Sequence, residues 1–140
     1  MRSDKSGSFQ NMYRIVDANL NRSREGLRVV EDIVRFLLND KKITAELKLI
    51  RHKISRSVKN VELLLESRYS TGDVGKEYRE KIEGRKRNIK ELAVANFKRV
   101  EESLRVLEDV SKIVLPEKTA VYKKIRFKIY QLEKKVCERL

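Results

Sequence analysis

"ANLNRSREGLRVVED" occupies Ala18–Asp32, and "ANFKRVEESLRVLED" occupies Ala95–Asp109, 77 residues further on. Nine of the fifteen positions are identical, among them an Asn, two Arg, two Glu and an Asp. Apolar packing alone would not demand those polar identities. A second pair repeats nearly in step: "IRHKI" at Ile50–Ile54 and "IRFKI" at Ile125–Ile129, 75 residues apart. The repeating unit therefore reads as a helical hairpin, used twice.

Periodicity supports this. Across residues 11–38, Met12, Val16, Gly26, Val30, Ile33 and Leu37 recur at a spacing of three to four, with Asn19 and Arg22 filling the same stripe. Asn39–Asp40 marks a turn. A second helix is predicted over 42–66, a third over 88–114, and a fourth from Pro116, where the missing N–H costs nothing. The expectation is an all-α protein: a four-helix bundle built from two duplicated antiparallel helical hairpins joined by a long loop. Residues 1–10 read as a disordered tail and 11–140 as one helical domain. Within that domain lie hairpin 11–66, loop 67–87 (with a short helix near Lys76–Ile82) and hairpin 88–140.

The 140 residues are 40% hydrophobic and 39% charged, with one Pro, five Gly and no Trp. That balance suits surface-rich helices and argues against sheets. A net charge of +13 favours anionic partners, either nucleic acid or small phosphates. No known nucleic-acid motif accompanies it, and the aromatic residues are scattered, so nucleic acid is the weaker reading. The single cysteine, Cys137, fits a reducing, cytoplasmic setting and reads as a packing residue. No apolar run is long enough for a membrane span. Zinc-spaced Cys/His clusters, Walker loops and serine triads are absent. His52 reads as a surface histidine. The sequence leaves a monomer and a homo-oligomer equally open.

On a helix, Asn19 and Arg22 share a face with Gly26 and Val30; Asn96 and Arg99 share one with Ser103 and Val106. An arginine on a core stripe is costly unless an anion or a carboxylate meets it. The first reading is a polar pocket at one end of the bundle, lined by both Asn-x-x-Arg faces. The others are internal ion pairs with Glu25 or Glu102, and contact with another subunit. The loop Thr71-Gly72-Asp73-Val74-Gly75 could cradle phosphate through its N–H groups or form a plain tight turn.

"RIVDANLNRSREGLRVVEDIVRF" (Arg14–Phe36), "LIRHKI" (Leu49–Ile54), "STGDVG" (Ser70–Gly75) and "VANFKRVEESLRVLED" (Val94–Asp109) resemble a compact all-helical family, the small hydroxymethylpyrimidine phosphate kinases. The resemblance covers roughly 12–136. Members of that family occur alone or fused to thiamine-phosphate synthase, and this chain resembles the stand-alone form. The resemblance implies an ATP-dependent phosphotransferase of thiamine biosynthesis. It would convert 4-amino-5-hydroxymethyl-2-methylpyrimidine phosphate to the diphosphate, with Mg²⁺ as cofactor and thiamine-phosphate synthase as functional partner.

A phosphate monoester is already ionised at neutral pH, so catalysis reduces to alignment and charge neutralisation. On that basis Arg22 and Arg99 are expected to grip phosphates, supported by Arg24 and Arg51. Asn19 and Asn96 would bond base or phosphate, and Asp73 would hold the metal. Glu25, Thr71, Gly72 and Gly75 complete the expected binding positions, with the 67–87 loop closing over ATP. Two alternatives stand beside this: a basic helical nucleic-acid-binding protein, and a non-catalytic domain that holds the phosphorylated pyrimidine for the synthase.

Overall fold

The computed structural model describes residues 2–75 and 88–140, and every regular element among them is helical. The predicted helix at Lys76–Ile82 and part of the 67–87 loop lie outside the described residues. Helix α1 spans Arg2–Ile33 and ends in a π-helical turn at Val34–Leu38. Asn39 then takes the left-handed conformation (φ 53°), which its short polar side chain tolerates, and closes the turn. Asp40 caps helix α2 (Lys41–Arg56) by accepting a hydrogen bond from the Ile43 N–H at 2.9 Å. Helix α3 spans Val61–Ser67, α4 Ile89–Val114 and α5 Thr119–Cys137, the last entered through a short turn at Pro116–Lys118.

Two boundaries differ from the sequence reading. Helix α1 runs back through the stretch assigned to a tail; residues 7–11 are exposed, and nothing lies within 4 Å of a side chain placed at Gly7. The predicted helix over 42–66 is broken, so the described chain holds five α-helices and not four. The break has a local cause. Ser57 donates its hydroxyl back to the Ile54 carbonyl (2.6 Å) and shares a hydrogen bond with the buried Tyr122 hydroxyl (2.7 Å). Asn60 then caps α3 by accepting from the Leu63 N–H. Such side-chain-to-backbone bonds compete with helix continuation.

Helices α1 and α4 lie antiparallel and form the centre; α2 and α3 pack on α1, and α5 packs on α4. The core stripe of α1 is Val16, Leu20, Ser23, Leu27, Val30 and Val34. That of α4 is Ala93, Phe97, Val100, Leu104, Leu107 and Ser111. Both stripes are rotated about the helix axis from the predicted ones, which ran through Asn19–Arg22 and Asn96–Arg99. At the crossing, the buried hydroxyls of Ser23 and Ser103 bond at 2.6 Å. Beside them Gly26 lies against Val100: a Cβ there would sit 2.8 Å from Val100 Cγ2 and 3.0 Å from the Asn96 carbonyl oxygen. In the repeat numbering, Ser23 matches Val100 and Gly26 matches Ser103, so the two contacts exchange partners across the crossing.

Two buried ion pairs tie the outer helices to the centre. Glu31 on α1 accepts from Arg51 Nε on α2 at 2.9 Å, and Glu108 on α4 accepts from Arg126 Nε on α5 at 3.0 Å. Both acids are nearly fully buried. They stand 77 residues apart and their partners 75 apart.

Gly26→Ala should destabilise the fold by about 1–3 kcal/mol through overpacking, outweighing a helix-propensity gain of about 1 kcal/mol; chemical denaturation followed by circular dichroism measures this. Arg126→Met should cost about 3–5 kcal/mol by leaving Glu108 uncompensated. Adding Glu108→Leu to that variant should recover most of the loss.

Candidate functional site

A cleft of about 560 Å³ opens between the N-terminal half of α1 and the segment after α3. Helix α1 presents Arg14, Ala18 and Arg22 to it, at i, i+4 and i+8 on one face. The opposite wall holds Arg68, Tyr69 and Asp73. Asp17, buried on α1, fixes that wall by accepting two bonds from Arg68: Nε to Oδ2 at 2.9 Å and Nη2 to Oδ1 at 2.8 Å. This fork geometry adds direction as well as strength, and the hydrogen bond with Asp17 raises the Arg68 pKa above its ordinary value.

Asn19 is buried; its amide nitrogen donates to the Ile15 carbonyl at 2.8 Å. Its Oδ1 accepts from Arg22 Nη1 at 3.4 Å, so it orients an arginine whose head reaches solvent. Tyr69, 61% exposed, lies with its ring over Gly72, where any Cβ would strike it. The Arg14 guanidinium sits 5.9 Å from that ring's centroid. Asp73 accepts from the Gly75 N–H at 2.9 Å and shapes the turn.

With Asp17 engaged by Arg68, Arg14 and Arg22 leave the cleft with positive character. Among the described residues, Asp73 is then the carboxylate lining it that no arginine holds. No group of three or more His, Cys, Asp or Glu side chains that could hold a metal occurs among the described residues. A single carboxylate suits Mg²⁺ only where substrate phosphates and water complete the shell.

The structure thus brings together Asn19, Arg22 and Asp73 of the expected residues, with Thr71, Gly72 and Gly75 in the adjoining turn. It does not bring the others. Arg22 and Arg99 are exposed, not turned inward. Arg99 pairs with Glu25 at 3.5 Å, the ion pair weighed from sequence, but on the surface. Asn96 bonds the Leu92 carbonyl, and its own carbonyl lies against Gly26, about 11 Å along the axis (two turns) from Asn19. The single end pocket lined by both faces is therefore corrected: antiparallel packing separates them. Arg51 is held by Glu31, and Arg24 bonds Asn21, so neither lines the cleft. His52 is half-buried on α2, outside the cleft. Arg14, Asp17, Arg68 and Tyr69 were missed; the Arg14–Ala18–Arg22 spacing was the available signal.

The second half of the repeat is unsuited to anions. Glu101 stands where the first half has Arg24, and Glu91 where it has Arg14. Glu101 is buried beside Glu133, with Lys98 donating to both, at 3.4 and 3.2 Å. One oxygen of each acid, Oε2, is buried without a hydrogen-bond partner. Burial first, then the neighbouring Glu133, pushes the Glu101 pKa up to about 8.

The described residues thus form an all-helical domain with a basic cleft beside α1. The chain belongs to the ThiD2 family, whose model matches residues 14–135. It is similar to proteins named thiamine-phosphate synthase. That of a Nostoc species is 42% identical over 124 residues, covering 89% of this chain and 35% of the relative. That of a Synechocystis species is 39% identical over 120 residues (86% and 34%). That of Rhodopirellula baltica is 36% identical over 121 residues (85% and 32%). The chain spans about a third of the length of these curated relatives. No solved structure matches it significantly. No helix among the described residues is long and apolar enough to cross a membrane.

Glu101 gives a pH test. Its folded pKa lies above its unfolded value, so the unfolded chain binds fewer protons between pH 4.5 and 8. Stability should be fullest below pH 4.5 as far as this group is concerned, and fall as pH rises through 8. Glu101→Gln should flatten that decline in urea-denaturation midpoints.

Proposed function

We propose that the protein is a phosphotransferase of thiamine biosynthesis, phosphorylating 4-amino-5-hydroxymethyl-2-methylpyrimidine phosphate to its diphosphate with ATP. The observation that carries this is the α1 cleft, where Arg14, Arg22 and the Asp73 carboxylate line one space beside an exposed aromatic ring. Membership of the ThiD2 family and the names of the relatives support the pathway. We also propose that the chain arose by duplication of a helical hairpin. The paired ion pairs Glu31–Arg51 and Glu108–Arg126 support this.

Arg22, steadied by Asn19, grips a phosphate of the acceptor. Arg14, about 12 Å back along the same wall of α1, meets a second charged group of the ligands. Tyr69 offers its face to the pyrimidine ring. Asp17 acts through Arg68, holding the far wall so that both ligands meet in line. No residue has to remove a proton from a monoester oxygen that is already ionised, and the cleft contains no histidine to do so. When bound, Mg²⁺ neutralises charge on the transferred phosphoryl group, and Asp73 would hold it together with phosphate oxygens. The second reading is a non-catalytic domain that holds the phosphorylated pyrimidine for a synthase; the synthase names of the longer relatives favour it.

A coupled assay for ADP, with ATP, Mg²⁺ and the pyrimidine monophosphate, separates the two readings. Turnover is expected, and none with the free alcohol. Arg22→Ala should lower kcat/KM by about 100-fold, roughly 2.7 kcal/mol, with helicity and melting unchanged. Arg99→Ala, outside the cleft, should keep near-normal turnover. Wild-type activity in Arg22→Ala removes the proposed role of the cleft; binding of the monophosphate without ATP consumption favours the second reading.

A further inference from the structure

Away from this cleft, α2 and α5 run side by side without closing on each other. Between them lies a groove of about 770 Å³. Leu49 on α2 and Val121 and Phe127 on α5 line it, and they are 56%, 38% and 51% exposed. Lys53, Lys124 and Lys128 also line it, against one acid, Glu46. We propose that this groove docks an amphipathic helix of a partner protein, with apolar residues on one face and acidic residues flanking them.

The apolar lining and the lysines each restrict the occupant. Leu49 and Phe127 project from different helices, so an inserted ridge of apolar side chains covers both at once, the usual way a helix enters a groove. The lysines decide the sign of what flanks that ridge. A second copy of this chain would bring a like-charged rim against it, in a protein of net charge +13. Residues 76–87, with six basic and three acidic side chains, share the wrong sign. A separate acidic helix meets both conditions. The relatives agree in one respect: they carry the matching segment beside about twice its length of further polypeptide, so the segment already coexists there with other protein surface.

The test uses the full chain and a fluorescein-labelled 18-residue helical peptide with leucines at i, i+3, i+4 and i+7 and glutamates on both flanks. A control peptide replaces every glutamate by lysine. Fluorescence anisotropy should show the acidic peptide binding at least tenfold more tightly than the control, and more weakly as salt rises. Two double variants, Lys53→Glu with Lys128→Glu and Leu49→Asp with Phe127→Asp, should each weaken it about tenfold. Leu49, Lys53 and Phe127 are exposed and Lys128 is half-buried, and circular dichroism checks that the fold survives. Lys41→Glu with Lys42→Glu, exposed on α2 outside the groove, should leave binding unchanged. Equal binding of both peptides, no binding, or equal weakening by the Lys41/Lys42 variant overturns the proposal. So does sedimentation as a dimer that Leu49→Asp with Phe127→Asp converts to monomer, because the occupant is then a second copy.

Discussion

The close approach of α1 and α4 is the constraint on which the rest depends. Gly26 lets the Val100 side chain and the Asn96 carbonyl sit where a Cβ would otherwise stand. Ser23 and Ser103, both buried, satisfy one another at the same level. Small residues at a helix crossing let backbones come close, and neighbouring Leu27, Phe97 and Leu104 then seal around them. From that central pair the outer helices hang by similar means: an apolar seam and one buried ion pair each. Neither ion pair is strong evidence of net stabilisation, since desolvation offsets much of its attraction. Their contribution is directional: each fixes the register of one outer helix on one inner helix.

The cleft follows from this arrangement and from the interruption at Ser57. An unbroken helix over 42–66 would have carried its C-terminal half onward in a straight line. Beyond the break α3 continues to pack on α1 and sets Arg68 against Asp17. The two halves of the sequence repeat differ at the cleft positions. Arg14 corresponds to Glu91, so one arginine that lines the cleft is an acid in the other half, while Arg22 corresponds to Arg99, which pairs with Glu25.

Most of the frame was legible in the sequence because helical spacing and repetition are properties of neighbours in the chain. The helical class, the Asn39–Asp40 turn, the start after Pro116 and the packing role of Cys137 all follow from local pattern. The azimuth of the stripe was harder. Asn19 and Arg22 fall close enough to the core face that counting small and polar residues with it, such as Gly26, turned the stripe toward them. The true seam runs through Ser23 and Ser103, whose hydroxyls satisfy each other only once both helices are in place. The burial of Glu31 and Glu108 is illegible for the same reason: a buried acid is acceptable only beside its arginine, and those arginines lie 20 and 18 residues further along the chain. The cleft was half legible, since α1 contributes one face in a recognisable order. Its other wall depends on a tertiary contact between residues 51 positions apart.

The Ser23–Ser103 contact joins residues 80 positions apart. A ribosome adding about 5–20 residues per second leaves an interval of roughly 4–16 s between the two. During that time the finished α1 carries an apolar seam with no mate. Its own hairpin can cover only part of that seam, through α2 and α3. Assembly of the centre therefore waits on distant chain, and neither hairpin can complete the interior without the other. The helical core thus matures as one indivisible unit, with α1 exposed to wrong company for longer than the helices that follow it.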